Sequence, residues 1–227
     1  MLSQFHAKFP GGCRWRITAE GIEIEGSGLI EFAAAVARTK AFIARYAEVA
    51  SAAATEYGVP VELLIACSLT EAEADNPKTE LHENEVCVRK EPGFRSVAET
   101  PGRISAGMCQ LLVSTARAVM GDPAIDLEWL FKPLNSLRAC AAYIKQQSKS
   151  TGFDPVYAAC AYNAGGLYEN TGESNRWRLR QFPLGTSKHA DRFVQYFNAA
   201  MAESIPGTAP RFKALVEKEI VSSPSSG

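Results

Sequence analysis

The chain has 227 residues, 46 % of them hydrophobic and 22 % charged, a globular composition that excludes a disordered chain. Its net charge of −1 argues against bulk electrostatic capture of nucleic acid or of an anionic membrane. No apolar run approaches the roughly 20 residues of a spanning helix, so no stable membrane insertion is expected.

The N-terminus, MLSQFHAKFPGGCRWRI, lacks the apolar core of a signal peptide. Synthesis in the cytoplasm without a signal peptide is the expectation. Residues 13–26, CRWRITAEGIEIEG, alternate apolar and polar, with Trp15 and Ile17, then Ile22 and Ile24, on one face and AEG between them. That is a hairpin signal, and 1–28 is expected as a small N-terminal β-hairpin appendage. From Leu29 to Tyr57 the pattern turns helical: Phe42, Tyr46, Val49, Ala53 and Tyr57 fall on one face. Gly58 follows its end. Pro60 opens a second helix at its first turn, running to about Ala72.

Residues 75–104 carry Pro, Gly and charge without period and read as a long irregular loop; loops of that length in compact domains are usually functional or mobile. Val113–Met120 reads as a short helix capped by Ser114 and closed by Gly121. Asn135–Ser150 is another, with Asn135 as N-cap and Gly152 beyond its end. Asp154-Pro155 caps and starts a helix through Ala164, ended by Gly165-Gly166. Ala190–Glu203 is the last strong helix, with Phe193, Phe197 and Met201 on one stripe. The terminal VSSPSSG is polar with nothing to bury. The expected organisation is mainly α: a helical domain over 29–205, then a partly disordered C-terminal extension over 206–227.

Six cysteines, at 13, 67, 87, 109, 140 and 160, include no CxxC pair and match no zinc template. Cys67, Cys140 and Cys160 lie in apolar runs and read as small core hydrophobes; reduced thiols are expected. His6, His82 and His189 show no ligand pattern. No metal and no cofactor is expected.

The stretch SLTEAEADNP, 68–77, raises the question of catalytic chemistry, because Glu71, Glu73 and Asp75 close an apolar helix. At about 100° per residue, Leu64, Cys67 and Ser68 fall about 20°, 40° and 60° from Glu71. Glu71 therefore shares a face with buried-type neighbours. Glu62 and Glu73 fall together on the other side, read as the wet face, and Asp75 belongs to the following loop. The helix is apolar almost all round, as a central core helix is. A carboxyl at its inner end is partly desolvated, which favours the protonated form near neutral pH. On spacing alone, an inward acid is more often a member of a structural ion pair.

Two further segments change that weighting: ISAGMCQLLVSTARAV, 104–119, and AACAYNAGG, 158–166. With the Glu-ended helix they resemble the lysozyme-like soluble lytic transglycosylase family over roughly 55–200. Glu71 matches the family's catalytic Glu, Gly107-Met108-Cys109-Gln110 its glutamine stretch, Thr115-Ala116 the pair that follows, and Ala161 to Gly165 its Ala-Tyr-Asn-Ala-Gly. HADRFVQYF, 189–197, resembles the closing helix. The N-terminal segment and the RKEPGF loop resemble the phage and prophage branch. Ala72 stands where the family has Ser, and Met108-Cys109 where it has Leu-Met; the second is a volume-tolerant exchange.

The resemblance implies a goose-type/lytic transglycosylase fold acting on peptidoglycan glycan strands. It implies cleavage of the β-1,4 bond between N-acetylmuramic acid and N-acetylglucosamine to a 1,6-anhydromuramyl end. Glu71 would act first as acid, then as base, without metal or hydrolytic water. Gln110 and Asn163 would offer amides to acetamido groups and hydroxyls. Tyr162 would stack on a sugar with its hydroxyl near Glu71, and Ser105 and Met108 would line the cleft. Each also has a structural reading: Tyr162 as helix core, Asn163 as a C-terminal cap, Gln110 as a surface amide. Gly107 and Gly165 read as backbone requirements.

Two other readings stay open. A goose-type muramidase would hydrolyse the same bond with a second carboxylate from Glu85, Glu91 or Asp75. A non-catalytic peptidoglycan-binding module would keep only the fold. The phage resemblance implies a monomeric endolysin or a virion-associated lysin with virion proteins as candidate partners, reaching the periplasm and cell wall by holin-type release or virion delivery.

Overall fold

The computed structural model describes residues 2–73 and 80–222; Asp75 and the terminal 223–227 lie outside them. Eight α-helices and two small antiparallel sheets are present among these residues. The helices are α1 (Ala33–Tyr57), α2 (Val61–Glu73), α3 (Val113–Met120), α4 (Leu127–Leu130), α5 (Pro133–Thr151), α6 (Pro155–Ala164), α7 (Lys188–Ala202) and α8 (Phe212–Ser222). None is long and apolar enough to cross a membrane. The mainly helical class with a small N-terminal β-structure expected from the sequence is the observed one.

α2 is the centre. It touches α1, α5, α6 and α7, and Val61, Leu63, Leu64, Ile65 and Leu69 are fully buried. A helix with apolar residues on every side has no solvent face to offer, so other helices must surround it. The wet position expected for Glu62 is not observed; the side chain of Glu73, read onto the same face, lies outside what is described. Glu62 is fully buried, because the chain returns after α7 and lays α8 across the start of α2. Its carboxylate accepts from Phe212 N at 3.0 Å and from Arg211 Nε. Phe212 and Val216 are buried, Phe212 edge-on against Phe197 at 5.1 Å. Within the stretch read as an extension, α8 is thus part of the core. The sequence signal was weak because two inward side chains carry it.

The N-terminal sheet runs β1 (Trp15–Ile17), β2 (Ile22–Ile24), β3 (Gly28–Leu29), with Trp15 opposite Ile24 and Ile17 opposite Ile22. The hairpin is as read, with a short third strand. Trp15, Ile17 and Ile22 are buried against the helices. Asn198 of α7 accepts from Ile22 N at 2.8 Å and donates to Ile30 O at 3.0 Å. Gly21 sits at φ +138°, where an added Cβ would collide with Asn198. Trp15 Nε1 donates to Asp154 Oδ2 at 2.9 Å. The sheet is fastened to α6 and α7 rather than appended to them.

The stretch 75–104, read as irregular, contains β4 (Val88–Lys90) and the start of β5 (Ile104–Ala106), which pairs onward with β6 (Leu111–Leu112). Strands of two or three residues are too short to show alternation, so the pattern carried no period. Two caps also differ. Ser114 lies inside α3, whose N-cap is Leu112. α5 begins at Pro133, and Asn135 donates to Trp129 O instead of capping. Pro at the first helical position wins there, since it lacks the hydrogen a cap would satisfy. Asp154 caps α6 as read, accepting from Val156 N and Tyr157 N. All six cysteines are free thiols.

Candidate active site

Glu71 lies in the last turn of α2 and is 7 % exposed. Leu64, Cys67 and Ser68 behind it are buried, as the helical spacing requires. A tight turn faces it. Gly107 has φ +75°, and a Cβ there would collide with the carbonyl oxygen of Leu130, so only glycine fits. Ser68 Oγ donates to Met108 O at 3.1 Å and joins α2 to this turn. Gln110 has φ +46°, rare for a side-chain-bearing residue. Its Nε2 donates to Gly107 O at 2.8 Å and Cys87 O at 3.1 Å, and its Oε1 accepts from Ser105 Oγ at 3.1 Å. The amide thereby ties β4 and β5 to the turn.

α6 closes the site from the other side. Tyr162 donates its hydroxyl to Cys109 O at 2.8 Å. Asn163 accepts from Phe182 N through Oδ1 and places Nδ2 3.4 Å from His189 Nδ1.

These elements enclose a cleft of about 570 Å³. Of the residues singled out from sequence, Glu71, Ser105, Gln110, Tyr162 and Asn163 line it. Met108 does not: it is 2 % exposed and belongs to the core. Tyr162 reaches the cleft, but the hydrogen of its hydroxyl is given to Cys109 O. A wider groove of about 650 Å³ beside α1, lined by Glu48, Thr55 and Pro206, contains none of the motif residues.

Among the lining residues that were not expected as substrate contacts are Arg89, Glu91, Tyr143 and Phe182. Arg89 comes from β4, whose register places it opposite Ser105. It opens the RKEPGF segment, but no site role attached to it there, because the strand itself was invisible. Tyr143 packs edge-on against Tyr162 at 5.4 Å and shows part of its ring to the cleft. Of the acids considered as a second carboxylate, Glu91 lines the cleft. Glu85 is held by the Tyr46 hydroxyl at 2.6 Å and does not.

Arg89 Nη1 stands 3.8 Å from Glu71 Oε2. His189 Nε2 stands 4.0 Å from Oε1, both side chains nearly fully buried. The second contact is not an ion pair. Burial first, then the charges of Arg192 and Arg89, push the His189 pKa down to about 3, against a backbone contact with Ala159. Burial thus favours the neutral imidazole. Burial also pushes the Tyr162 hydroxyl well above its ordinary range and the Cys67 thiol up to about 11. Both stay protonated, and the thiols act as core.

No curated protein and no solved structure shows a significant match. A family model described as "Transglycosylase SLT domain" matches residues 48–181. The matched span is more than half of the chain, and it carries the end of α2, the turn at 107–110 and the cleft face of α6 on one frame. The chain belongs to the transglycosylase SLT domain family, the lysozyme-like lytic transglycosylases that act on peptidoglycan.

Proposed function

We propose that the protein cleaves the β-1,4 bond between N-acetylmuramic acid and N-acetylglucosamine, with Glu71 as the single acid and base. The observation that carries this reading is a buried carboxyl at the end of the core helix, facing a cleft large enough for sugar rings. A neutral glutamic acid gives its proton to the leaving glycosidic oxygen. The substrate's own N-acetyl oxygen supports the oxocarbenium-like centre. The 6-hydroxyl then attacks C1 as Glu71 takes its proton, closing a 1,6-anhydro ring. No water is consumed, and Glu71 ends protonated, ready for the next turnover.

The other residues hold the site. Both Nε2 hydrogens of Gln110 are used within the protein, so its work is to keep the cleft wall in place. Tyr143 offers a ring face to a sugar, and Asn163 works through His189 rather than as a free amide.

The test is product mass with peptidoglycan as substrate. Anhydro ends are lighter than hydrolysed ends by one water. Glu71→Gln keeps the shape and removes the proton, and is expected to lower turnover by on the order of 10²–10⁴. Cleavage at the original rate would remove Glu71 from the mechanism; binding without any cleavage by the wild type would favour a non-catalytic module.

A second reading, hydrolysis by a goose-type muramidase, is favoured by one observation: Glu91 lines the same cleft. An inverting enzyme would need its carboxylate about 6.5–9.5 Å from Glu71 to activate a water. In that case all product ends are reducing sugars and Glu91→Gln is inactive. Under the transglycosylase reading, Glu91→Gln still yields anhydro ends.

We place its action in the cell wall, as a phage endolysin released through a holin-type lesion or as a lysin carried in a virion. The resemblance of the N-terminal segment and the RKEPGF loop to phage enzymes supports this. Genes beside the coding sequence decide it: a holin supports the first route, baseplate genes the second, and neither removes the phage reading.

A further inference from the structure

The segment 165–187 joins α6 to α7, and three large hydrophobic side chains stand exposed on it: Tyr168, Phe182 and Leu184, at 47 %, 51 % and 59 %. An apolar side chain on open surface needs no explanation, but one on the wall of a cleft does. The ring of Tyr168 already has company. A Cβ at Gly166 would meet it at 3.1 Å, and the Arg180 guanidinium lies 5.1 Å from its centroid. Of the three, Phe182 lines the cleft of Glu71. It stands one residue beyond the span matched to the family, and the chemistry above gives it no work.

Its place is fixed from both helices. Phe182 N donates to Asn163 Oδ1 on α6. Gln181, the residue before it, is fully buried. Its Oε1 accepts from Ala190 N of α7 at 2.8 Å, and its Nε2 donates to Cys160 Sγ of α6 at 3.8 Å. Further back, Asn175 Nδ2 donates to Leu179 O at 2.7 Å, and Trp177 Nε1 to Asp191 Oδ1 at 2.8 Å. The backbone at 181–182 is therefore held while Phe182 is left half exposed. A surface held in place before binding loses little freedom when a ligand settles on it. From Glu71, contacts run through His189 and Asn163 to Phe182, which puts Phe182 at the rim of the cleft and not at the reacting centre.

We propose that Phe182 is a stacking platform for a sugar ring of the glycan strand flanking the bond at Glu71, and so a specificity-determining residue that favours longer strands. This rests on the reading of the cleft as a peptidoglycan site. A pyranose ring has apolar C–H faces and a polar edge of hydroxyls and acetamido groups. The flat face of an aromatic side chain matches the first without asking for hydrogen bonds. Phe182 has no polar side-chain atom to direct a single substituent, so it selects for a ring in that place rather than for one sugar of the alternating pair. A docking face for lipid belongs on open surface, whereas Phe182 is continuous with Asn163 and Gly165 on the cleft wall.

The experiment compares wild type with Phe182→Ser, Phe182→Trp and Leu184→Ser on glycan strands freed of their stem peptides and sorted by length. Phe182→Ser is expected to raise KM for long strands on the order of 10-fold with kcat within about threefold, because the ring holds ground state and transition state alike. The shortest strands that are cut are expected to lose less. Phe182→Trp is expected to restore KM. Leu184→Ser, which changes an exposed apolar residue off the cleft, is expected to leave both constants unchanged. Kd for long strands in the Glu71→Gln background is expected to rise in parallel when Phe182→Ser is added. The inference is overturned if Phe182→Ser keeps the wild-type KM on long strands, if short and long strands lose equally, or if Leu184→Ser has the same effect. Strand kinetics unchanged, with retention on phosphatidylglycerol vesicles lost, would overturn it too and give the ring to a lipid surface. The two readings fail separately. If Glu71→Gln cuts at the original rate, the assignment of Glu71 fails whatever Phe182 does. If wild type binds strands without cutting them, the catalytic reading fails while the Kd comparison still tests the ring. If Glu71→Gln is inactive and Phe182→Ser behaves as wild type, only the role of Phe182 fails.

Discussion

Gly107 shows how much chemistry a single backbone angle can support. Its φ of +75° turns the chain so that Met108 and Cys109 enter the core while Gln110 returns to the cleft. Gly107→Ala would strain the backbone and press a methyl on the Leu130 carbonyl. A loss of about 1–3 kcal/mol is expected, read by urea unfolding, with a larger fractional fall in activity because Gln110 leaves its bonds. An unchanged unfolding midpoint would show that the turn tolerates a side chain. Glu71 was legible as an inward acid from spacing alone, since helical periodicity fixes which side a residue faces. Its neighbours were not. Arg89 and His189 come from elements 18 and 118 residues further along the chain, and no local pattern brings them to a carboxyl. The internal use of the Gln110 amide was equally invisible: a side chain in a motif reads the same whether it binds a sugar or its own backbone.

At the scale of the element, long periodic helices were read well and short pieces were not. α1, α2, α5, α6 and α7 have several turns each, which lets period and caps reinforce one another. β4, β5 and β6 have three residues or fewer, and pairing across the chain, not local preference, makes them strands. Glu62 illustrates the same limit from the other side. Its side of the helix was read as wet and is buried, because the partner that covers that side is 150 residues away. A buried carboxylate with Arg211 and a backbone N–H should be hard to lose. Glu62→Ala is expected to destabilise the protein by about 3–5 kcal/mol, measured by chemical denaturation, because Arg211 and the start of α8 lose their acceptor together. A shift under about 1 kcal/mol would mean that α8 contributes little to the core.

For the molecule as a whole, Asp154 joins its two ends of function. One oxygen caps α6, the helix that carries Tyr162 and Asn163. The other accepts from Trp15 and contacts His6 Nε2 at 2.9 Å. Burial opposes a charge on His6, but the hydrogen bond and charge of Asp154 outweigh it and raise the pKa above 6.5. The sign follows from that shift. A group bound more tightly to its proton in the folded state adds stability that is fully present below about pH 6.5 and is lost as pH rises through the folded value. His6→Gln is therefore expected to lower Tm more at pH 6 than at pH 9, in paired thermal melts. Equal differences at the two pH values would remove the His6 charge from the account. The hairpin was legible in its alternation, while its fastening to α6 and α7 was not, because Asp154 and Asn198 gave no sign of a distant partner.

That fastening sets an order of assembly. Ile30 closes on Asn198, 168 residues later, and the first strand waits for Asp154, 139 residues beyond Trp15. The strands of the sheet pair locally with one another, but its fastening to the helices waits until Asp154 of α6 and Asn198 of α7 are in place. Contacts between such distant residues form late and slow the search. Docking of the N-terminal sheet onto the helices is thus expected to be a late step of folding, a seal closed on a body already built.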